Sequence, residues 1–395
     1  MKIKNVQISN YRSCIQTKFD LHDNLTALIG INGVGKSNIL NALQLLRKSR
    51  RGRRFYGEEN FKNLSVTNLN FTIEIESRII LIRSKIYYET DERNTDEIHT
   101  IEMKFRDENT PGKWITIEDN FFEVAYYMNR ISTSTIPRNK EFQSEEARLV
   151  IQILKSLNSV NYYSATQFSD PSKCPVSFEL EDENLIRSYR NNHSHDSFMY
   201  ELYRTFKSKP DIFNLFLNTV GNQGMQIIED FSFIEHEIPS SSYKVRAGGR
   251  IDKIDKIRKI VVPSVVIDEL NLSPNQLSEG TFKTLALVFY IINDHSQLLL
   301  IEEPEVCVHH GLLNSIIELI QICSKDKQII ISTHSDYVLD KLSPDNILLV
   351  KKNKGTKANN LTKSLTKNDY KVLKEYLEKT GNLGEYWKEG GFDYE

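Results

Sequence analysis

Cysteine is scarce in this sequence, and the spacing of its four cysteines argues against two kinds of site. They are Cys14, Cys174, Cys307 and Cys323, and no two have the C-x-x-C spacing typical of zinc and thiol–disulfide motifs. Disulfide frameworks belong to small secreted proteins, whereas this chain has 395 residues and scattered thiols. We therefore expect reduced cysteines in a cytoplasmic protein and no zinc site.

Long apolar segments and long heptad repeats are also lacking. The apolar runs are too short and too interrupted to cross a bilayer. No sustained heptad tract is present, so we expect no coiled-coil arms. The opening residues Met1–Lys4 lead directly into a strand-like alternation, so we expect no secretion signal and no membrane contact.

Neither sign of charge dominates the chain. It has 51 lysines and arginines against 53 acidic residues, a formal net charge of -2. Contact with nucleic acid must therefore come from a local patch. The densest basic run extends from Arg47 to Arg54. This run could contact nucleic acid, or it could complement the dipole of a preceding helix and end in a solvated loop, and the sequence leaves both interpretations open.

A phosphate-binding motif is complete near the start of the chain. Gly30–Ser37 matches G-x-x-x-x-G-K-[ST] at every fixed position, after an apolar strand at Leu25–Ile29 and before a helical pattern starting at Lys36. Glycines let backbone N–H groups converge on phosphates, and the helix directs its positive end at them. We expect Lys36 to reach the β- and γ-phosphates of ATP and the Ser37 hydroxyl to bind Mg²⁺. The other residues expected at the nucleotide are Gly30, Asn32, Gly33, Gly35 and Asn38.

Two carboxylates follow the apolar run Leu298–Ile301. A buried parallel strand presents its carboxyl end to the ligand crevice, which would bring both acids near the phosphates. We expect Glu302 to hold Mg²⁺, and Glu303 to orient or deprotonate the attacking water. The alternative is an exposed charged turn after a core strand.

Ser278 marks a predicted helix start upstream of that strand. A serine before a helix is a good N-cap, and its hydroxyl and the free N–H groups beside it can also bind an anion. Another apolar strand, Ile329–Ile331, ends in Ser-Thr-His, which places His334 at its carboxyl end.

Together these segments resemble the ABC-type ATPases of the SMC, RecF and OLD group, and more narrowly the short "AAA family ATPase" proteins of bacterial and phage-defence operons. The match rests on four segments. The opening Ile8–Ser13 is similar to the family's N-F-R-S, and Gly30–Ser37 is its P-loop. Leu277–Thr284 is similar to the family's signature, and Ile301–His309 is similar to E-E-P-E-x-x-L-H. It covers residues 1–45 and 265–340.

The resemblance implies an α/β fold: a P-loop ATPase head with an antiparallel β flank and an inserted, mostly helical lobe. The period-two alternation of Phe71–Glu76 and Trp114–Glu118 is typical of such a flank. The expected divisions are residues 1–140 and 256–350 for the two halves of the head, 141–255 for the lobe and 351–395 for a tail.

The resemblance also implies roles for single residues. His334 lies at the position of the switch histidine that senses the γ-phosphate, with a structural loop histidine as the alternative. Gln167 is the candidate Q-loop glutamine for nucleotide and metal, and Arg12 is expected to approach the nucleotide. Ser278 and Gly280 of one copy would cap the ATP held at Lys36 of a second copy, so ATP would link a homodimer or a higher oligomer.

Three departures from the family pattern bear on function. Glu302 stands where many relatives have aspartate, and His310 where proline is common. Only residues 335–395 follow His334, too few for the TOPRIM nuclease domain of complete OLD proteins, so a separate partner would supply any nuclease.

The function implied is ATP hydrolysis by a dimer that regulates an effector or acts on DNA, in antiviral defence or DNA repair. Two alternatives stay open: the ATPase subunit of a transporter and a scaffold that binds ATP without hydrolysing it. The N-x-R-S opening and the E-E-P-E strand end favour the first interpretation over the transporter.

Overall fold

The computed structural model describes residues 1–48, 65–90, 96–109, 112–130, 139–180, 194–245, 251–306 and 308–392. The chain forms two compact units. The first unit consists of Met1–Tyr162, His295–Pro304 and Ile317–Glu395, and the second of Tyr163–Asp294 and Glu305–Ile316. Within the described ranges no helix is long and apolar enough to span a bilayer.

The strands of the described residues are numbered in chain order. They are β1 (Lys2–Tyr11), β2 (Cys14–Asp20), β3 (Leu25–Ile29), β4 (Ser65–Ile75), β5 (Arg78–Thr90), β6 (Asp96–Asp107), β7 (Ile115–Thr116), β8 (Val160–Ser164), β9 (Phe178–Leu180), β10 (Asp230–Val245), β11 (Ile251–Ile267), β12 (Leu270–Leu272), β13 (Leu298–Glu302), β14 (Gln328–Thr333), β15 (Ile347–Lys352) and β16 (Thr356–Asn360).

The α-helices are numbered in the same way. They are α1 (Lys36–Lys48), α2 (Asp119–Arg130), α3 (Glu145–Leu157), α4 (His195–Ser208), α5 (Pro210–Val220), α6 (Glu279–Asn293), α7 (His310–Cys323), α8 (Asp336–Leu339), α9 (Leu361–Ser364), α10 (Lys367–Lys379) and α11 (Leu383–Lys388).

A largely parallel sheet forms the centre of the first unit, with strand order β16-β15-β3-β14-β13-β8. β3 pairs in parallel with both β14 and β15, and β14 pairs in parallel with β13. Every residue of β3 and β14 is buried, which is the pattern of parallel strands covered on both faces. The apolar runs of the sequence therefore predicted these strands correctly.

An antiparallel sheet of the first unit forms the predicted β flank, in the order β2-β1-β4-β5-β6-β7. Along β4 buried side chains alternate with partly exposed ones, because a strand with one covered face points every second residue into the core. One buried cluster joins this inner face to α1 and to the central sheet, with Val6, Ile39 and Leu300 as members. The α/β head with an antiparallel flank is confirmed.

The second unit contains more strand than the sequence pattern predicts. Helices α4 and α5 lie in the predicted helical lobe, but β10 also lies there and pairs with β11 along its whole length. The unit begins at Tyr163, so α3 belongs to the first unit instead of to a lobe starting at residue 141. The alternation that favours a strand is present in β10, where Phe231 and Phe233 are buried and Ile234 is exposed.

Gln328 connects the two sheets of the first unit at their buried edge. Its Oε1 accepts a hydrogen bond from the Ile3 N–H at 3.0 Å, and its Nε2 donates to the Ile3 and His22 carbonyl oxygens at 2.9 and 2.8 Å. Only 1% of the residue is exposed. A buried amide with three such partners leaves them unsatisfied when it is removed.

We expect Gln328→Met to lower the free energy of unfolding by about 2–4 kcal/mol, because three buried backbone groups lose their partner. Urea unfolding measures the change. The control is Gln152→Met, which removes an exposed hydrogen bond to Glu76 and should cost about 0.5 kcal/mol or less. Equal costs for the two variants would contradict the role given to Gln328.

Candidate nucleotide site

Three parallel strands bring the predicted site residues of the first unit to one edge of the central sheet. Ile29 at the end of β3 lies opposite Thr333 of β14, and Ser332 lies opposite Glu302 at the end of β13. The P-loop, the two glutamates and His334 leave the sheet just beyond these residues. The carboxyl edge of a parallel sheet is where ligands bind in α/β folds.

The P-loop, Gly30–Ser37, wraps around the ammonium group of Lys36, and we call this arrangement the cradle. Lys36 Nζ donates to the carbonyl oxygens of Gly30 at 2.7 Å and Ile31 at 3.3 Å, and the residue is 5% exposed. Gly33 and Gly35 have φ angles of 83° and 106°, which glycine adopts without strain. The loop therefore curls back on the first residue of α1, the shape that presents backbone N–H groups to phosphate.

Thr356 and Ser13 pack against the P-loop. The Thr356 hydroxyl donates to the Val34 carbonyl oxygen at 2.9 Å and lies 2.7 Å from the Ser13 hydroxyl. A Cβ atom at Gly35 would lie 2.0 Å from Thr356 Oγ1 and 2.7 Å from Ser13 Oγ. The loop thus requires glycine at position 35 both for its φ angle and for space. Sequence reasoning missed Thr356, because no local motif contains it.

The β1–β2 turn carries the N-x-R-S opening and contacts α1. Asn38 Nδ2 donates to Ser13 Oγ at 2.6 Å. Asn38, expected at the nucleotide, thus braces the turn against the helix. Arg12 has a φ angle of 49° and its guanidinium lies 5.3 Å from the centroid of the Tyr11 ring. The structure places Arg12 one residue from the brace, and its approach to nucleotide stays a prediction.

Glu302 lies at the end of β13, and one of its carboxylate oxygens accepts a hydrogen bond. The Tyr162 hydroxyl, on β8, donates to Glu302 Oε2. Ser37 is exposed at the first turn of α1. A hydroxyl and a carboxylate suit Mg²⁺, which takes few protein ligands and keeps water and phosphate oxygens. The described residues contain no cluster of three His, Cys, Asp or Glu side chains. Tyr162 was not predicted.

Glu303 and His334 form a pair at the same edge. His334 Nδ1 lies 3.4 Å from Glu303 Oε1, and both side chains are partly exposed. Glu303 has a φ angle of 47°, and its N–H donates to the Ser332 carbonyl oxygen at 2.9 Å. A carboxylate beside an imidazole can orient a water molecule and take its proton.

The predicted signature residues belong to the second unit. Ser278 caps α6: its hydroxyl accepts from the Thr281 N–H at 3.1 Å and donates to Thr281 Oγ1 at 2.8 Å. Ser278 is exposed, and Gly280 follows in the first turn. Phe282 anchors the helix, fully buried with its ring 5.6 Å from that of Phe198. The helix start is therefore capped and open to solvent.

The predictions for Gln167 and for the basic run Arg47–Arg54 stay untested. Gln167 lies in a 3₁₀ turn of the second unit, where its Oε1 accepts from the Ser164 N–H at 3.5 Å, so its contact with nucleotide and metal stays a prediction. The basic run Arg47–Arg54 lies outside the residues whose side chains the structure describes.

A family model described as "AAA domain, putative AbiEii toxin, Type IV TA system" matches residues 25–340. The chain belongs to this AAA family. The match includes the P-loop, Ser278, both glutamates and His334, so one family domain carries all the segments that bear the predicted chemistry. Membership and the geometry of the cradle together identify an ATP-binding P-loop protein.

Curated relatives of this AAA protein match shorter segments. The DNA replication and repair protein RecF of Lactococcus lactis is 37% identical over 59 residues, which are 15% of this chain and 16% of RecF. The DNA double-strand break repair Rad50 ATPase of Methanococcus maripaludis is 29% identical over 140 residues, 33% of this chain and 13% of Rad50. The chain thus spans well under a fifth of the length of either relative.

Solved structures similar to this AAA protein include two SMC head domains. The SMC head bound to the C-winged helix domain of ScpA has a TM-score of 0.47 and 14% identity, and covers 91% of this chain and 97% of its own. The SMC head of Thermotoga maritima has a TM-score of 0.44 and 14% identity, with 91% and 98% covered.

We expect Gly35→Ala to weaken ATP binding at least about tenfold, because the new Cβ atom displaces the loop from Thr356. It should also lower the free energy of unfolding by more than Gly33→Ala, whose Cβ would meet nothing within 4 Å and adds only left-handed strain. Nucleotide titration and urea unfolding measure the two effects. Equal destabilisation by the two variants would show that the contact with Thr356 is unimportant.

Proposed function

We propose that this chain binds MgATP in the P-loop cradle, hydrolyses it, and forms a head-to-tail dimer around it. The supporting observation is the single sheet edge of the first unit, where the Lys36 cradle, the Tyr162-held Glu302 and the Glu303–His334 pair all lie. A cradle alone would support binding. The carboxylate–imidazole pair beside it is what supports hydrolysis.

Each residue of this edge has a distinct task in the proposal. Lys36 binds the β- and γ-phosphate oxygens, exchanging its two carbonyl contacts for them, and Ser37 and Glu302 hold the metal. Magnesium, when bound, neutralises charge that develops on the phosphates. Glu303 orients the water and takes its proton, and His334 senses the γ-phosphate. Tyr162 keeps the Glu302 carboxylate in one orientation.

Dimerisation is proposed from the exposed start of α6. Ser278 presents a hydroxyl and the first N–H groups of a helix to solvent, which is an arrangement that binds anions. In a twofold dimer the same helix start of each copy would cap the phosphate held by the other, which gives two equivalent sites. ATP would then favour the closed dimer, and hydrolysis would release it.

The closing and opening of the dimer would act on DNA or regulate a partner effector. RecF is named a DNA replication and repair protein, and Rad50 a DNA double-strand break repair ATPase. The family description names a toxin of toxin–antitoxin systems. We propose a cytoplasmic ATPase that acts on DNA or regulates a separate effector such as a nuclease, in repair or antiviral defence.

Two variants separate binding from hydrolysis. Lys36→Ala should abolish ATP binding, because it removes the cation of the cradle. Glu303→Gln should still bind ATP but lower turnover about a hundredfold or more, because the amide cannot accept the proton. It should also accumulate an ATP-bound dimer. Phosphate release measures turnover, and light scattering in the presence of ATP measures the ATP-bound dimer.

Wild-type turnover in the Glu303→Gln protein would show that another group is the base. A wild-type protein that dimerises with ATP but releases no phosphate would instead be the non-hydrolysing scaffold.

Mixing two inactive variants tests whether each site is shared between copies. Lys36→Ala removes the cradle and Ser278→Arg blocks the cap, so each alone should be inactive. In a mixed dimer one site keeps both an intact cradle and an intact cap. Random mixing should therefore restore about a quarter of wild-type turnover, since half the dimers are mixed and each has one site. A mixture that stays inactive would contradict the head-to-tail arrangement.

A further inference from the structure

The antiparallel sheet of the first unit has an open polar face, and the charged residues that line its concavity are nearly all basic. This basic sheet face lines a concavity of about 650 Å³. Its cations are Lys18, Arg83, Lys85, Lys104 and Arg106, and Glu102 is the one acidic residue among its described lining residues. The whole chain has slightly more acidic than basic residues, so this excess is local.

Cations of the face lie close together on the neighbouring strands β5 and β6. Arg83 of β5 lies directly opposite Lys104 of β6. Like charges in directly opposed positions destabilise a sheet unless an anion neutralises them. Among the described residues none of the five cations forms an ion pair. The carboxylate of Glu102, opposite Lys85, is itself bonded to the Tyr87 hydroxyl at 3.2 Å.

Trp114 orders the two arginines of the face. The guanidinium of Arg83 lies 4.3 Å from the centroid of the indole ring, and that of Arg106 lies 5.3 Å from it. A guanidinium stacked on an aromatic ring keeps its N–H groups available and has less freedom to lose when it binds phosphate in bidentate fashion. Because two arginines already contact the indole, it serves to position cations rather than to stack bases.

Neutral donors continue the face across β1 and β4. Gln7 lies opposite Asn70, and Ser9 opposite Asn68. Amide and hydroxyl side chains are common donors to phosphate and sugar oxygens in protein–DNA contacts. From Lys18 on β2 to Lys104 on β6 the face crosses four strand spacings, about 19 Å. A surface of this width covers several phosphates of a duplex.

We propose that the basic sheet face binds the sugar–phosphate backbone of duplex DNA without reading its sequence. Charge complementarity supports a polyanion, and the rows of amides suit a polymer with regularly spaced oxygens. The choice of DNA rests on the proposed function. The residues that line this surface include none of the Arg47–Arg54 run and none of the sheet edge that carries Lys36.

The test is DNA binding by the full chain with Lys85→Gln and Lys104→Gln combined. Both lysines are exposed, so folding should be unaffected. We expect the affinity for a fluorescent duplex of mixed sequence to fall at least about tenfold, equally for different sequences. The slope of log affinity against log salt concentration should fall by about 2, one for each lysine. Fluorescence anisotropy at several salt concentrations measures both.

A matched control carries the same charge change elsewhere in the first unit. Lys371→Gln with Lys374→Gln alters two exposed lysines of α10 and should leave affinity and slope unchanged. A wild-type slope in the Lys85/Lys104 variant, or an equal loss in the control, would overturn the proposal. So would polyglutamate that competes with DNA as well as unlabelled duplex does, since the face would then bind any acidic polymer.

ATP turnover and ATP-dependent dimerisation of the same variant separate this proposal from the proposed function. Both should stay at wild-type values, because neither lysine lies at the nucleotide site. DNA binding measured without nucleotide tests the basic sheet face even if the protein hydrolyses no ATP. Loss of DNA binding by the variant with normal turnover thus supports the assignment. A wild-type protein that binds DNA but hydrolyses no ATP contradicts the proposed function alone.

Discussion

The P-loop of this protein depends on one close contact, that of the Gly35 backbone with the hydroxyl of Thr356. Position 35 has no room for a side chain, and the same hydroxyl donates to the Val34 carbonyl oxygen. Interiors packed at this density transmit any displacement to their neighbours. The curvature of the loop, the first turn of α1 and the location of Lys36 are therefore all tied to the position of β16.

The chemistry of the nucleotide site is concentrated in the first unit, and its proposed cap lies in the second. Parallel pairing of β3, β14 and β13 brings a cation, two carboxylates and an imidazole to one sheet edge. Ser278 lies at an exposed helix start, where it is the N-cap residue. The basic sheet face belongs to the other sheet of the first unit, so the proposed nucleotide and DNA surfaces lie on different sheets of one unit.

Sequence reasoning was most accurate where structure follows from a local pattern. The buried strands β3, β13 and β14 and the helix after the P-loop agree with their apolar runs, because burial on both faces leaves a continuous signal. It was least accurate in the region from 141 to 255. There α3 joins the first unit and β10 forms a long hairpin with β11, since the same short apolar runs suit a helix or a strand until their partners are known.

Local motifs alone indicate the chemical groups of the candidate site: the glycines and lysine of the cradle, the paired glutamates and the histidine after a buried strand. The residues that hold these groups in place come from distant parts of the chain. Val34 and Thr356 are 322 residues apart, Tyr162 and Glu302 are 140 apart, and Ile3 and Gln328 are 325 apart. Motifs and periodicity record interactions between near neighbours in the chain, whereas partners this distant are brought together by strand order and by the burial of a common core.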